Sequence, residues 1–117
     1  MTSRTAVGRR GEALAAEHLT ARGFVVVGRN VRVGRDEVDL VAWEGAVLVV
    51  VEVRSRRRGA MVDPLTSITA AKRDRLRRAA LGLAARYQAR ELRIDVVAVV
   101  EGEVDHHVNA VDFTDWT

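Results

Sequence analysis

The chain has 117 residues, 48% of them hydrophobic, enough for one compact core. It has no cysteine, which excludes disulfides and thiolate metal sites, and no apolar run near the roughly 20 residues of a membrane helix. A formal charge of +3 and an isoelectric point of about 10.5 come from arginines in clusters, which points to an anionic polymer as partner.

The basic residues of Met1 to Arg10 are followed by no apolar core. No signal peptide is therefore expected, and the chain reads as cytoplasmic. Val7, Leu14, Ala15 and Leu19 recur at helical spacing and predict a helix from Val7 to about Arg22, with Gly23 at its C′ position. Phe24 to Gly28 reads as a valine-rich strand, and Asn30 to Arg35 as a connection able to extend it. Two further strands follow, Glu37 to Trp43 and Val47 to Arg54, joined through Glu44-Gly45-Ala46. Ser55 to Ser67 reads as a loop holding Gly59 and the single proline, Pro64.

Thr69 is a candidate N-cap for a helix reaching about Gln88. Leu76, Ala79, Ala80, Leu83 and Tyr87 form its apolar stripe. Leu92 to Val100 reads as a buried strand, Glu101-Gly102-Glu103 as a turn, and Val104 to Val108 as an edge strand. This order predicts one α/β domain over residues 1–117, with a central mixed sheet flanked by helices.

Two carboxylates stand out because they interrupt apolar strands. Charged side chains are seldom buried unless paired or bound to metal. With Gly45-Ala46 as a two-residue turn, Asp39 falls opposite Glu52, and Glu37 opposite Arg54, on one face. Two like charges in that position call for a cation. Mg²⁺ or Mn²⁺ suits oxygen ligands from Asp39 and Glu52, with the Val53 carbonyl as a third. The same spacing also fits an ordinary Glu37–Arg54 ion pair, with Asp39 and Glu52 at a solvated edge.

Arg54, Arg56, Arg57 and Arg58 begin where the second acidic strand ends, so they are candidates for phosphate contacts. Lys72 and Arg73 open the second helix, whose N-terminus favours anions. Arg9 and Arg10 add basic charge on the first helix. Asp95 reads as structural. His18, His106 and His107 give no usable zinc spacing, and Trp43 and Trp116 read as packing residues.

The stretch Gly8-Arg9-Arg10-Gly11-Glu12-Ala13-Leu14-Ala15 resembles the opening helix of the bacterial YraN-like family. So do Gly23-Phe24, Arg29-Asn30-Val31-Arg32, Glu37-Val38-Asp39-Leu40-Val41, Val51-Glu52-Val53-Arg54-Ser55-Arg56, Lys72-Arg73 and Arg93-Ile94-Asp95-Val96-Val97. The resemblance implies a restriction-endonuclease-like three-layer fold of the PD-(D/E)xK superfamily, close to Holliday-junction resolvases. It implies an Mg²⁺-dependent DNA endonuclease, with branched DNA a candidate substrate and a homodimer a candidate assembly. Carried over by position, Glu12 matches the helix carboxylate, Asp39 the first strand carboxylate and Glu52 the acidic member of E-x-K. Arg54 stands where that pattern has lysine. Arginine keeps its proton, so it can clamp a phosphate but cannot act as a base. A nucleic-acid-binding module that cuts poorly or not at all is the alternative.

Overall fold

The structure, a computed structural model, describes residues 6–56 and 67–114, with side chains from Gly8 onward. Arg57, Arg58, Gly59, Pro64 and Trp116 lie outside the described residues. The order is α1 (Ala6–Ala21), β1 (Val25–Val33), β2 (Asp36–Glu44), β3 (Val47–Arg56), α2 (Ala70–Tyr87), β4 (Glu91–Val100) and β5 (Glu103–His107). The strands form one sheet in the order β1-β2-β3-β4-β5. Only β3 and β4 are parallel, as the intervening α2 permits; the other pairs are antiparallel.

The helices take opposite faces. On one face Ala15, Ala16 and Leu19 of α1 pack with Leu40, Ala42, Val49, Val51 and Val97. On the other, Leu76, Ala79, Ala80 and Leu83 of α2 pack with Val38, Val41, Leu48, Val50 and Ile94. The result is a three-layer α/β fold with a mixed sheet at its centre. β3 is buried on both faces from Leu48 to Val51, which explains its unbroken apolar run.

Local chemistry sets the ends of the elements. The α1 chain reverses at Gly23, φ 91°. Its amide donates to the Thr20 carbonyl, while the Phe24 amide donates to the Leu19 carbonyl, the paired bonds of a Schellman cap. Leu19 and Phe24 then meet in the same apolar cluster. Thr69 caps α2 by accepting from the Lys72 amide at 3.1 Å. Gln88, in the left-handed region, closes the other end.

Residues 30–33 do extend the first strand: β1 runs to Val33, absorbing one extra residue at Val27 as a bulge, and the chain turns at Gly34. One expectation is corrected. Ser55 and Arg56 are not loop, because β4 continues in parallel beside them, pairing Ser55 with Val99 and Arg56 with Val100. Among the described residues, no helix is long and apolar enough to cross a membrane.

Candidate functional site

The site forms where β3 runs past the end of its ladder with β2. Gly45 takes the positive φ, 59°, expected at the first position of the turn. The register follows the predicted one from Glu44↔Val47 to Leu40↔Val51. There the ladder stops, one step before Asp39 would meet Glu52 and three before Glu37 would meet Arg54. The expected Glu37–Arg54 opposition is therefore not formed.

The reason lies in β2. Val38 packs on the α2 face, yet Leu40, two residues on, packs on the α1 face. Strict alternation would put both on one face. The strand twists out of phase at Asp39 and sends its side chain toward β3, as irregular strand positions do beside functional sites. Asp39 Oδ2 then accepts a 2.8 Å hydrogen bond from the Val53 amide, replacing a ladder bond. The N–H and C=O of a strand residue point the same way. The Val53 carbonyl thus faces the same gap as Asp39.

Glu52 is 4% exposed. Burial pushes its carboxyl up to about 7, and the charge of Asp39 and a hydrogen bond between the two carboxyls add to the effect; Lys72 and Arg54 oppose it. Lys72 Nζ sits 3.7 Å from Glu52 Oε1, and Arg54 Nη1 3.5 Å from Oε2. Arg54 Nη2 and Arg56 Nη2 both donate to Ser67 Oγ, at 2.9 and 3.1 Å. Burial, then the neighbouring Arg54, lowers the pKa of Arg56. Three cationic groups therefore crowd one buried carboxylate, an arrangement that favours a further anion. A cleft of about 240 Å³ opens beside it, lined in part by Arg35, Glu37, Asp39, Lys72 and Arg75.

The other predicted residues fall as follows. Glu12 is buried on α1. Its neighbour Gly11 lies against Ser55, so close that a Cβ there would collide with Ser55 Oγ. This brings the start of α1 to the end of β3. Arg9 and Arg10 are exposed on that turn. Arg73 is partly spent on the backbone, donating to the Ile68 carbonyl at 3.3 Å. Among the described residues, no three His, Asp or Glu side chains form a ready-made metal cage.

Sequence reasoning missed a second polar cluster, on the α1 face. Asp95 is fully buried and accepts from Arg93 Nε at 2.8 Å, Arg93 Nη2 at 3.0 Å and the Asn109 amide at 2.9 Å. His106 Nε2 lies 2.8 Å from Asp95, and His106 Nδ1 lies 3.2 Å from His18 Nε2. Burial alone would raise the Asp95 pKa, but these hydrogen bonds outweigh it and hold it low. Burial, then His106, keeps His18 below its usual value. Every group in the cluster has a partner, which fits the structural role expected for Asp95. The 88-residue gap between His18 and His106 hid the contact.

The family described as "Uncharacterised protein family UPF0102" matches residues 11–99. A UPF0102 protein of Streptomyces coelicolor is 52% identical over 81 residues, covering 68% of this chain and 62% of that protein. One from Anaeromyxobacter dehalogenans is 46% identical over 115 residues, covering 93% of this chain and 86% of the relative. One from Symbiobacterium thermophilum is 46% identical over 102 residues, covering 82% and 83%. The matched span holds Glu12, Asp39, Glu52, Arg54 and Lys72 together with the strands and helices that place them, and the chain belongs to the UPF0102 family.

Proposed function

We propose that this chain is a metal-dependent DNA endonuclease with a restriction-endonuclease-like fold of the PD-(D/E)xK kind. The observation that carries the reading is the Asp39 carboxylate, held by the Val53 amide at 2.8 Å where the β2–β3 ladder ends, next to the buried Glu52 carboxyl. A structural ion pair brings opposite charges together. Here two carboxyls are neighbours, and burial first, then the Asp39 charge, raises the Glu52 pKa; such perturbed groups cluster at functional sites. The helix, three-strand meander, helix and parallel strand agree with the proposed fold.

The donor set fits Mg²⁺ or Mn²⁺, with Asp39, Glu52 and the Val53 carbonyl as oxygen ligands. A bound cation would neutralise the carboxylate pair and the scissile phosphate and make water a better nucleophile there. The chain's own residues do the rest. The Val53 amide fixes the Asp39 carboxylate. Arg54 and Arg56 meet at Ser67 and can hold the backbone of the nucleic acid through its phosphates. The exposed Arg9 and Arg10, on the α1 turn whose Gly11 packs against Ser55, and Arg73 on α2 add basic charge near that end of β3.

Arg54 in the lysine position favours a second reading, a DNA-binding module without cleavage. Purified protein incubated with Mg²⁺ or Mn²⁺ and duplex, single-stranded, flap and four-way-junction DNA tests both. Cleavage that stops in Asp39→Asn and Glu52→Gln supports the endonuclease. Salt-sensitive binding with no product from any substrate leaves the binding module.

A further inference from the structure

We infer that Lys72, on α2, supplies the ammonium of the reacting centre that β3 lacks at Arg54. The inference rests on the endonuclease reading. Arg54 is divided between two partners: Nη1 lies 3.5 Å from Glu52 Oε2, Nη2 is bound to Ser67 Oγ at 2.9 Å, and Nε is buried with no hydrogen-bond partner among the described residues. Lys72 reaches the opposite oxygen of Glu52 from the other side. At 3.7 Å this is an ion pair, longer than a hydrogen bond, so the ammonium donors are not consumed by Glu52.

The cleft adds an independent observation. Asp39 and Lys72 line its wall, and Arg54 does not. A phosphate in this cleft meets Lys72 beside Asp39, with Arg35 and Arg75 also on the wall. The N-cap also fixes where Lys72 starts: its amide donates to Thr69 Oγ1, so the side chain leaves the first turn of α2 beside the end of β3. That turn already favours an anion.

In hydrolysis the oxygen of water bonds to phosphorus while one bridging P–O bond breaks. The water proton goes to solvent, and the departing alkoxide takes a proton from solvent. Lys72 keeps its own proton throughout. It donates a hydrogen bond to a non-bridging oxygen, where negative charge grows as the new bond forms. Arg54 holds the phosphate position but stands outside this contact.

The test compares wild type with Lys72→Met and Lys72→Arg. It reads single-turnover cleavage at saturating DNA and Mn²⁺, Mn²⁺ affinity by calorimetry, and melting temperature. Lys72→Met should lose about a hundredfold or more in rate, as loss of one transition-state donor does. Its Mn²⁺ affinity should hold or rise, because a cation beside the ligands has gone. Lys72→Arg should recover much of the rate. Lys72→Met cutting like wild type overturns the inference. So does a parallel fall in rate, Mn²⁺ affinity and melting temperature, which would mean that Lys72 only props Glu52. If wild type itself cuts nothing, the endonuclease reading falls. The Lys72 contact then stands only if Mn²⁺-dependent DNA binding is lost in Lys72→Met, and is overturned if binding is unchanged.

Discussion

The Val53 amide donates a 2.8 Å hydrogen bond to Asp39 Oδ2, across a point where the two strands have stopped pairing. Asp39 thus satisfies a backbone donor that the ladder has abandoned. That fixes its carboxylate beside Glu52 and leaves the Val53 carbonyl facing the same gap. Loss of the Asp39 charge should therefore damage cation binding more than it damages the fold.

Calorimetric titration with Mn²⁺ checks this directly. Asp39→Asn keeps the shape and an oxygen acceptor but loses the charge. We expect at least the roughly tenfold loss of affinity that removal of even an outer-shell partner causes. Binding to wild type near neutral pH should also release protons, because the Glu52 carboxyl titrates at about 7 and the cation takes only the ionised form. Repeating the titration in buffers of different ionisation heat measures that release. Equal affinities in the two proteins, or no proton release, would count against a shared cation.

Glu52 also predicts how stability follows pH in the absence of a cation. Its pKa rises from 4.5 to about 7 on folding, so the folded state prefers the protonated carboxyl. The stabilisation is complete below the unfolded value and is lost as pH climbs through about 7. The shift corresponds to roughly 3 kcal/mol. Urea unfolding at about pH 5 and about pH 8 should show wild type losing that much relative to Glu52→Gln. Mn²⁺ should restore most of it at the higher pH. A pH-independent difference between the two proteins would show that Glu52 titrates normally.

How much of this was legible in the sequence varies with distance along the chain. Gly45-Ala46 between two valine-rich runs fixed a hairpin, and the hairpin fixed which residues of β2 and β3 would meet. The α2 stripe and the Thr69 cap were likewise local signals. The approach of Lys72 to Glu52 was not. It depends on how α2 sits across the sheet, which packing of Leu76, Ala80 and Leu83 decides. The phase slip between Val38 and Leu40 was invisible too, since both are apolar and either face would bury them. The His18–His106–Asp95 chain joins α1, β5 and β4, and no spacing rule links elements so far apart.

That chain supports a contrast between two buried carboxylates. Asp95 is held ionised by Arg93, the Asn109 amide and His106, whereas Glu52 is pushed toward its neutral form. Asp95→Ala should cost roughly 3–5 kcal/mol, because it breaks a buried charge network. Glu52→Gln should cost far less above about pH 7. Asp95→Ala protein that remains folded should bind Mn²⁺ as wild type does, since Asp95 faces α1 and Glu52 faces α2. Chemical denaturation paired with Mn²⁺ titration separates the two roles. A loss of Mn²⁺ affinity in folded Asp95→Ala would show that the clusters are coupled.

The last prediction concerns assembly. One site cuts one strand, and resolution of a four-way junction needs two cuts related by symmetry, which a C2 dimer supplies. The sheet has two edges. β5 is blunted by Glu103, Asp105 and His107, a composition that discourages pairing. β1 opens with Val25 and Val27, 61% and 40% exposed, beside a groove also lined by Phe24 and Val26. An uncovered apolar edge of this kind invites a second copy. We expect wild type to scatter light as a dimer at micromolar concentration with junction DNA present, and Val25→Lys/Val27→Lys to scatter as a monomer. The double variant should keep its melting temperature, since both side chains are already exposed. It should still nick flap DNA while losing paired cuts in junctions. A wild-type monomer with and without junction DNA would remove junction resolution and leave nicking or flap trimming as the task of this site.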